Sequence, residues 1–197
     1  MTENKKKIDY VGKMILAPMV KIGTLPTRLL AIDYGADLVY TEEIIDWRLL
    51  RSKRIENDQL ETVDYIDKSD DTLVLRIGES LCKVISRNFC SENLIFPAPK
   101  KERGKLVLQI GTNDPDRAVR VAKMVEQDID AIDVNMGCPK GFSLKGGMGA
   151  ALLSHPDKIK AILTALVKAA NIPVTCKIRI LPDLQATLNL IDVSFDD

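Results

Sequence analysis

The chain has 197 residues, enough for one domain with a sizeable core. Its 28 Lys and Arg balance 28 Asp and Glu, so net charge neither supports nor excludes a nucleic-acid partner; local patches decide that. The cysteines (Cys82, Cys90, Cys138, Cys176) form no C-x-x-C pair, no run reaches the ~18 apolar residues of a membrane span, and the Lys-rich N-terminus lacks a signal-peptide core. These features predict a soluble cytoplasmic protein with free thiols, no metal and no membrane partner.

Met14–Pro18 reads as a first buried strand. A helix opens at Thr24-Leu-Pro26, with Thr24 as candidate cap, and stops near Tyr34-Gly35. Leu38–Glu43 is the second strand, and Ile44 to Arg76 a long polar excursion rather than a simple crossover. Lys105–Gly111 is the third confident strand, followed by a helix capped at Asn113-Asp114-Pro115 that buries Ala118, Val121, Ala122 and Val125. Ala131–Gly137 is the fourth strand. Ser154, with Asp157 three residues on, opens a helix burying Ile159, Ile162, Leu163 and Leu166. Val174–Ile180 is the fifth, and Leu184 and Leu188 begin a further helix.

Strands alternating with helices imply a parallel sheet with right-handed crossovers. The first strand is not followed by the G-x-G-x-x-G of a dinucleotide-binding sheet. Instead, polar residues gather at the C-terminal ends of several strands: Glu42 and Glu43, Gln109, Asn135 with Cys138, Lys177 with Arg179. A (β/α)8 barrel builds its site from that face. The predicted fold class is α/β, a partial (β/α)8 TIM barrel of about the first five strands with an irregular insertion.

Cys138 stands between Gly137 and Pro139 in a strand-end loop. Such a thiol is either a small buried hydrophobe or a weak acid suited to protonating a carbanion. Lys177 and Arg179 share one strand face, while Cys176, Ile178 and Ile180 share the other. Two adjacent cations need anionic or electron-rich company. That company is either a salt-bridge network with Glu42, Glu43 or Asp133, or an anionic cofactor ring. The Lys145–Gly149 loop reads as a flexible flap, and His155 as a helix-start surface residue.

Leu16-Ala-Pro-Met19, Ala131–Pro139, Lys145–Ala150 and Val174–Arg179 closely resemble the tRNA-dihydrouridine synthases, above all the eukaryotic dihydrouridine synthase 2 type. The resemblance spans roughly residues 13–76 and 104–190. It implies an FMN-containing barrel that uses NADPH to reduce the C5–C6 bond of a D-loop uridine in tRNA. Carried over by motif, Pro18, Met19, Val20, Glu43 and Gln109 contact the flavin, and Lys177 sits beside the ring edge where negative charge gathers on reduction. Asn135 and Arg179 hold the flipped uracil, and Cys138 protonates C5 opposite the incoming hydride.

The resemblance also implies a domain plan: residues 1–12 disordered, 13–191 a truncated flavin-binding barrel, 192–197 a divergent tail. Residues 77–99 have no counterpart in the family and read as an insert, a retained intron or a lineage-specific loop. On this reading the polypeptide alone binds FMN weakly or not at all. Two alternatives stay open: a truncated non-catalytic isoform, and another FMN barrel oxidoreductase such as a dihydroorotate dehydrogenase-like enzyme.

Overall fold

The computed structural model describes residues 8–78 and 102–195. Its main sheet is a curled half-barrel of five parallel strands. In spatial order these are β1 (Ile15–Leu16), β2 (Leu38–Tyr40), β7 (Leu106–Gly111), β8 (Ala131–Asn135) and β9 (Val174–Lys177). The short β3 (Ile44–Ile45) continues the line of β2 and pairs with the last two residues of β7. Helices α1 (Leu25–Asp33), α3 (Pro115–Val125) and α5 (Pro156–Ala169) connect successive strands, and α6 (Leu184–Phe195) follows β9. The partial-barrel expectation is met.

Alternation along each strand separates two faces. Val39, Leu106, Leu108, Ile110, Ile132 and Val134 face the helices and join one core with Ala118, Val121, Ala122 and Val125 of α3. Ile159, Ile162, Leu163 and Leu166 of α5 enter the same core. Each fully buried Val, Leu or Ile among them contributes roughly 1.5–3 kcal/mol by burial. Tyr40, Val107 and Ala131 point to the opposite, concave face. Within the segment expected to be disordered, Ile8 and Tyr10 pack on that trio, and the Tyr10 and Tyr40 hydroxyls lie 3.1 Å apart.

Several local expectations change. The first strand is shorter than Met14–Pro18, and Met14 and Ile15 are exposed, because β1 is a sheet edge with β2 as its partner. The fifth strand ends at Lys177 rather than Ile180 and is half-buried, again as an edge paired to β8. The fourth ends at Asn135, where the side chain turns back to bind the main chain. Neither Thr24 nor Ser154 caps a helix through its side chain; the residue at the N-terminus of α5 is His155. Asp114 caps α3 as predicted, accepting from the Arg117 amide at 2.8 Å. The helix expected from Leu184 and Leu188 is present as α6, and among its described side chains Thr187 and Leu190 are buried.

The 44–76 excursion carries regular structure of its own. After α2 (Asp46–Arg51), strands β4 (Ser52–Asn57), β5 (Thr62–Asp67) and β6 (Leu73–Gly78) form an antiparallel sheet. Its alternation is masked by buried acids: Asp64 and Asp67 face inward because Arg76 and Arg51 neutralise them at 2.6 and 2.8 Å. The predicted insert lies outside the described residues from Glu79 to Pro99, as do Cys82 and Cys90.

Candidate active site at the C-terminal ends of the strands

Register places the polar residues in layers. Gln109 pairs with Asp133 and Asp133 with Thr175, and one step further Asn135 pairs with Lys177. All five lie on the concave face. Asp133 is buried and accepts from Gln109 Nε2 at 2.8 Å and from the Thr175 hydroxyl at 2.7 Å. Burial raises its carboxyl pKa to about 6 against the pull of these bonds and of Lys177. Gln109 accepts in turn from Asn135 Nδ2 at 3.0 Å, and its main-chain N–H donates to Thr41 Oγ1.

Asn135 is the hinge of the next layer. Its Oδ1 accepts the main-chain N–H groups of Gly137 and Cys138, each at 2.9 Å. This fixes the turn that carries the thiol. The Cys138 carbonyl accepts from the Ala150 amide at 3.0 Å, joining the turn to the glycine-rich segment. That segment is not a free flap. Helix α4 (Gly141–Lys145) leads into a 3-10 turn (Gly149–Ser154), and Gly149, at φ +58°, packs directly on Cys138. A Cβ there would stand 2.6 Å from the Cys138 carbonyl oxygen, so the close approach requires glycine.

Cys138 faces Glu43. The thiol and the carboxyl interact, and the buried Ser143 hydroxyl lies 3.5 Å from Glu43 Oε1. Desolvation raises both pKa values, and the neighbouring carboxylate lifts the thiol further while the Lys140 main chain lowers it. Glu42 does different work. Its Oε2 accepts the Lys21 amide at 2.8 Å, tying the loop after β1 to the end of β2. Gly23 is pressed so tightly to Thr41–Glu42 that a Cβ would meet the Thr41 carbonyl carbon at 2.7 Å. The same loop presents Pro18, half-buried, and Met19 and Val20, exposed.

Lys177 and Arg179 are exposed, and Cys176 and Ile178 pack against the helix-side core as the alternation predicted, but Ile180, expected on the same face, lies beyond the end of β9 and is exposed. Arg179 Nε donates to the Gly137 carbonyl, bracing the Cys138 turn from β9. The alternative salt-bridge network does not form: among the described residues neither Lys177 nor Arg179 makes an ion pair with Glu42, Glu43 or Asp133, and Lys177 acts on Asp133 through its charge alone. A hollow of about 400 Å³ runs along the open edge of β9, lined from the concave side by Tyr40, Asp133, Thr175 and Lys177 and from the helix side by Leu163, Val167 and Cys176. Cys138, Asn135 and Glu43 are not among the residues lining this hollow.

The donor set fits a flavin. Lys177 offers a cation without an ion-pair partner, Gln109 an amide already oriented by two bonds, and Met19 and Val20 an exposed apolar wall. Among the described residues no cluster of His, Cys, Asp or Glu could hold a metal, and no helix is long and apolar enough to cross a membrane. Sequence reading missed Ser143, Thr41 and Thr175. Thr175 was within reach, since it alternates with Lys177. Ser143 was not, because it enters through tertiary packing of α4.

A family model described as dihydrouridine synthase (Dus) matches residues 15–194. The chain is 44% identical over 189 residues to the tRNA-dihydrouridine(20) synthase of Saccharomyces cerevisiae, covering 93% of this chain and 45% of the yeast protein. The tRNA-dihydrouridine(20) synthase of Schizosaccharomyces pombe is 38% identical over 192 residues, 94% of this chain and 36% of that protein. The tRNA-dihydrouridine(16/17) synthase of S. cerevisiae is 30% identical over 194 residues, 98% and 38% respectively. The chain thus spans less than half the length of these curated relatives.

Proposed function

The chain belongs to the dihydrouridine synthase (Dus) family, and from that premise we propose that it supplies the thiol-bearing half of an FMN-dependent, NADPH-driven catalytic barrel that reduces a D-loop uridine of cytoplasmic tRNA to 5,6-dihydrouridine. The observation that carries this reading is the gathering of Cys138, Asn135, Gln109 and Lys177 at the C-terminal ends of adjacent parallel strands. Relatives named as tRNA-dihydrouridine synthases linked to NAD(P)+ support the substrate and the reductant.

Bound FMN would supply a hydride to uracil C6. The protein's own residues do the rest. Pro18, Met19, Val20, Glu43 and Gln109 hold the ring, and Lys177 sets positive charge where the reduced ring is anionic. Asn135 keeps one Nδ2 proton beyond its bond to Gln109, and Arg179 keeps its terminal N–H groups beyond its bond to Gly137; these hold the flipped uracil. Cys138 gives its thiol proton to C5. The raised thiol pKa suits this role, because the sulfur reaches neutral pH as S–H rather than thiolate.

The test is to complete the barrel by joining this chain to the remaining length of a full-length relative, incubate it with FMN, NADPH and unmodified tRNA, and quantify dihydrouridine by nucleoside mass spectrometry. The reading expects product from the completed chain and none from its Cys138→Ala variant with flavin binding intact. A protein that takes up FMN and oxidises NADPH yet leaves tRNA uridine unchanged would defeat it.

A further inference from the structure

Glu43 is out of place for a surface acid. Its Oε2 is buried and has no hydrogen-bond partner, and its Oε1 has only the Ser143 hydroxyl at the long distance of 3.5 Å. A buried carboxylate oxygen without a donor is costly unless a proton is shared with it. Two proton-bearing groups neighbour the carboxyl, the Ser143 hydroxyl at Oε1 and the Cys138 thiol, and the thiol is held there by three independent restraints. Asn135 anchors its amide, Arg179 braces the preceding carbonyl, and Gly149 closes the opposite side. On the other flank, Gly111 leaves room for the carboxyl, since a Cβ there would stand 2.7 Å from Glu43 Oε1. The glycines on both flanks leave carboxyl and thiol in contact.

We propose that Glu43 is a positioning residue for Cys138: it holds the thiol in its S–H form and, after the thiol has given its proton away, makes the pair take one back from water. This rests on the proposed role of Cys138. Hydride supplied to C6 by a bound reduced flavin would leave an electron pair on C5. The S–H bond breaks and a C5–H bond forms with that pair, leaving a thiolate. Thiolate and Glu43 carboxylate then stand together with little solvent, and like charges in contact bind a proton more tightly than either alone. The carboxyl takes a proton from water and passes it to sulfur as its own O–H bond breaks. One turnover consumes one hydride and one solvent proton, and both residues end as they began. Among the described residues the groups facing this proton are Glu43, the Lys140 main-chain amide and the Ser143 hydroxyl, the last two favouring thiolate.

The test is the pH profile of Cys138 alkylation by iodoacetamide in the full chain, read peptide by peptide by mass spectrometry. Cys176 is an internal control, its thiol pushed up to about 11 by burial. Wild type should titrate above an ordinary thiol. Glu43→Gln should lower the midpoint by at least about half a pH unit, giving about three times more thiolate at neutral pH. Glu43→Asp, which keeps the charge, should retain most of the upward shift. An unmoved midpoint in Glu43→Gln overturns the proposal, as does an equal fall in both variants, which would mark Glu43 as packing only. Should the variants not fold, a wild-type midpoint at or below the ordinary thiol value overturns it. No flavin or tRNA is needed, so this result and the dihydrouridine assay fail independently.

Discussion

Asn135 Oδ1 stands 2.9 Å from the Cys138 amide nitrogen and 2.9 Å from that of Gly137, so one side chain at the end of β8 sets the position of the thiol. Asn135→Ala removes that acceptor and also the donor to Gln109. Leaving the buried Gly137 N–H unsatisfied should cost about 1–3 kcal/mol. The variant should unfold at lower urea, and Cys138 should alkylate at a changed rate while Cys176 does not. Asn135→Asp should recover part of the stability, because a carboxylate still accepts both amides, but it cannot donate to Gln109.

Asp133 makes stability pH-dependent. Its folded carboxyl titrates at about 6, above the ordinary value of 3.8, because burial penalises the charge. The sign follows. Below the unfolded value both states are protonated and this group costs nothing. As pH rises the unfolded chain ionises first, so stability falls until the folded carboxyl ionises too. The loss should run from about pH 4 to pH 6 and total on the order of 2–3 kcal/mol. Urea unfolding across that range should give a curve for Asp133→Asn that is flatter than wild type by this amount. A wild-type curve parallel to the Asn variant would show that Asp133 does not titrate there.

The barrel, the helix stripes of α3 and α5 and the inward placement of Gln109, Asn135 and Lys177 were legible because periodicities of 3.6 and 2 survive in the sequence. The antiparallel β4–β6 sheet was not, because its inward Asp64 and Asp67 read as solvent-facing until Arg76 and Arg51 are seen beside them. The Cys138–Glu43 contact was equally hidden. The two residues are far apart in the chain and meet only because β3 pairs with the end of β7 while the turn after β8 folds back over it. Family resemblance put both residues in one site; the carboxyl–thiol contact itself is a result of packing.

Gly149 should tolerate no side chain. At φ +58° an alanine is strained by its backbone alone, and its Cβ would press on the Ser143 hydroxyl, the Cys138 carbonyl and, at 3.0 Å, the Cys138 Cβ. Gly149→Ala should lose more than about 1 kcal/mol and alter Cys138 alkylation. Gly141→Ala is the control. A Cβ at that position, in α4 of the same segment, meets nothing within 4 Å, so stability and thiol reactivity should hold. Equal behaviour of the two variants would remove Gly149 from the support of the thiol.

Arg28 and Glu102 form an ion pair buried to 1% exposure on both sides, Nε to Oε1 at 2.6 Å. It lies between the start of the barrel and the antiparallel sheet. Arg28 also donates to the Gly23 and Arg76 carbonyls, each at 2.7 Å, and Glu102 accepts the Gly78 amide at 3.1 Å. Removing one partner strands a charge in the interior, which typically costs 3–5 kcal/mol, whereas an apolar pair of similar volume is often neutral. Arg28→Ala and Glu102→Ala should therefore each unfold at markedly lower urea. Arg28→Met with Glu102→Leu should recover most of the loss, short of the bonds to Gly23, Arg76 and Gly78. Combining Arg28→Ala with Glu102→Ala closes a cycle with wild type and the two single Ala variants, and those four curves give the coupling energy. If the single losses simply add in the double variant, these two charges do not depend on each other, and the main-chain bonds of Arg28 and Glu102 carry the joint instead.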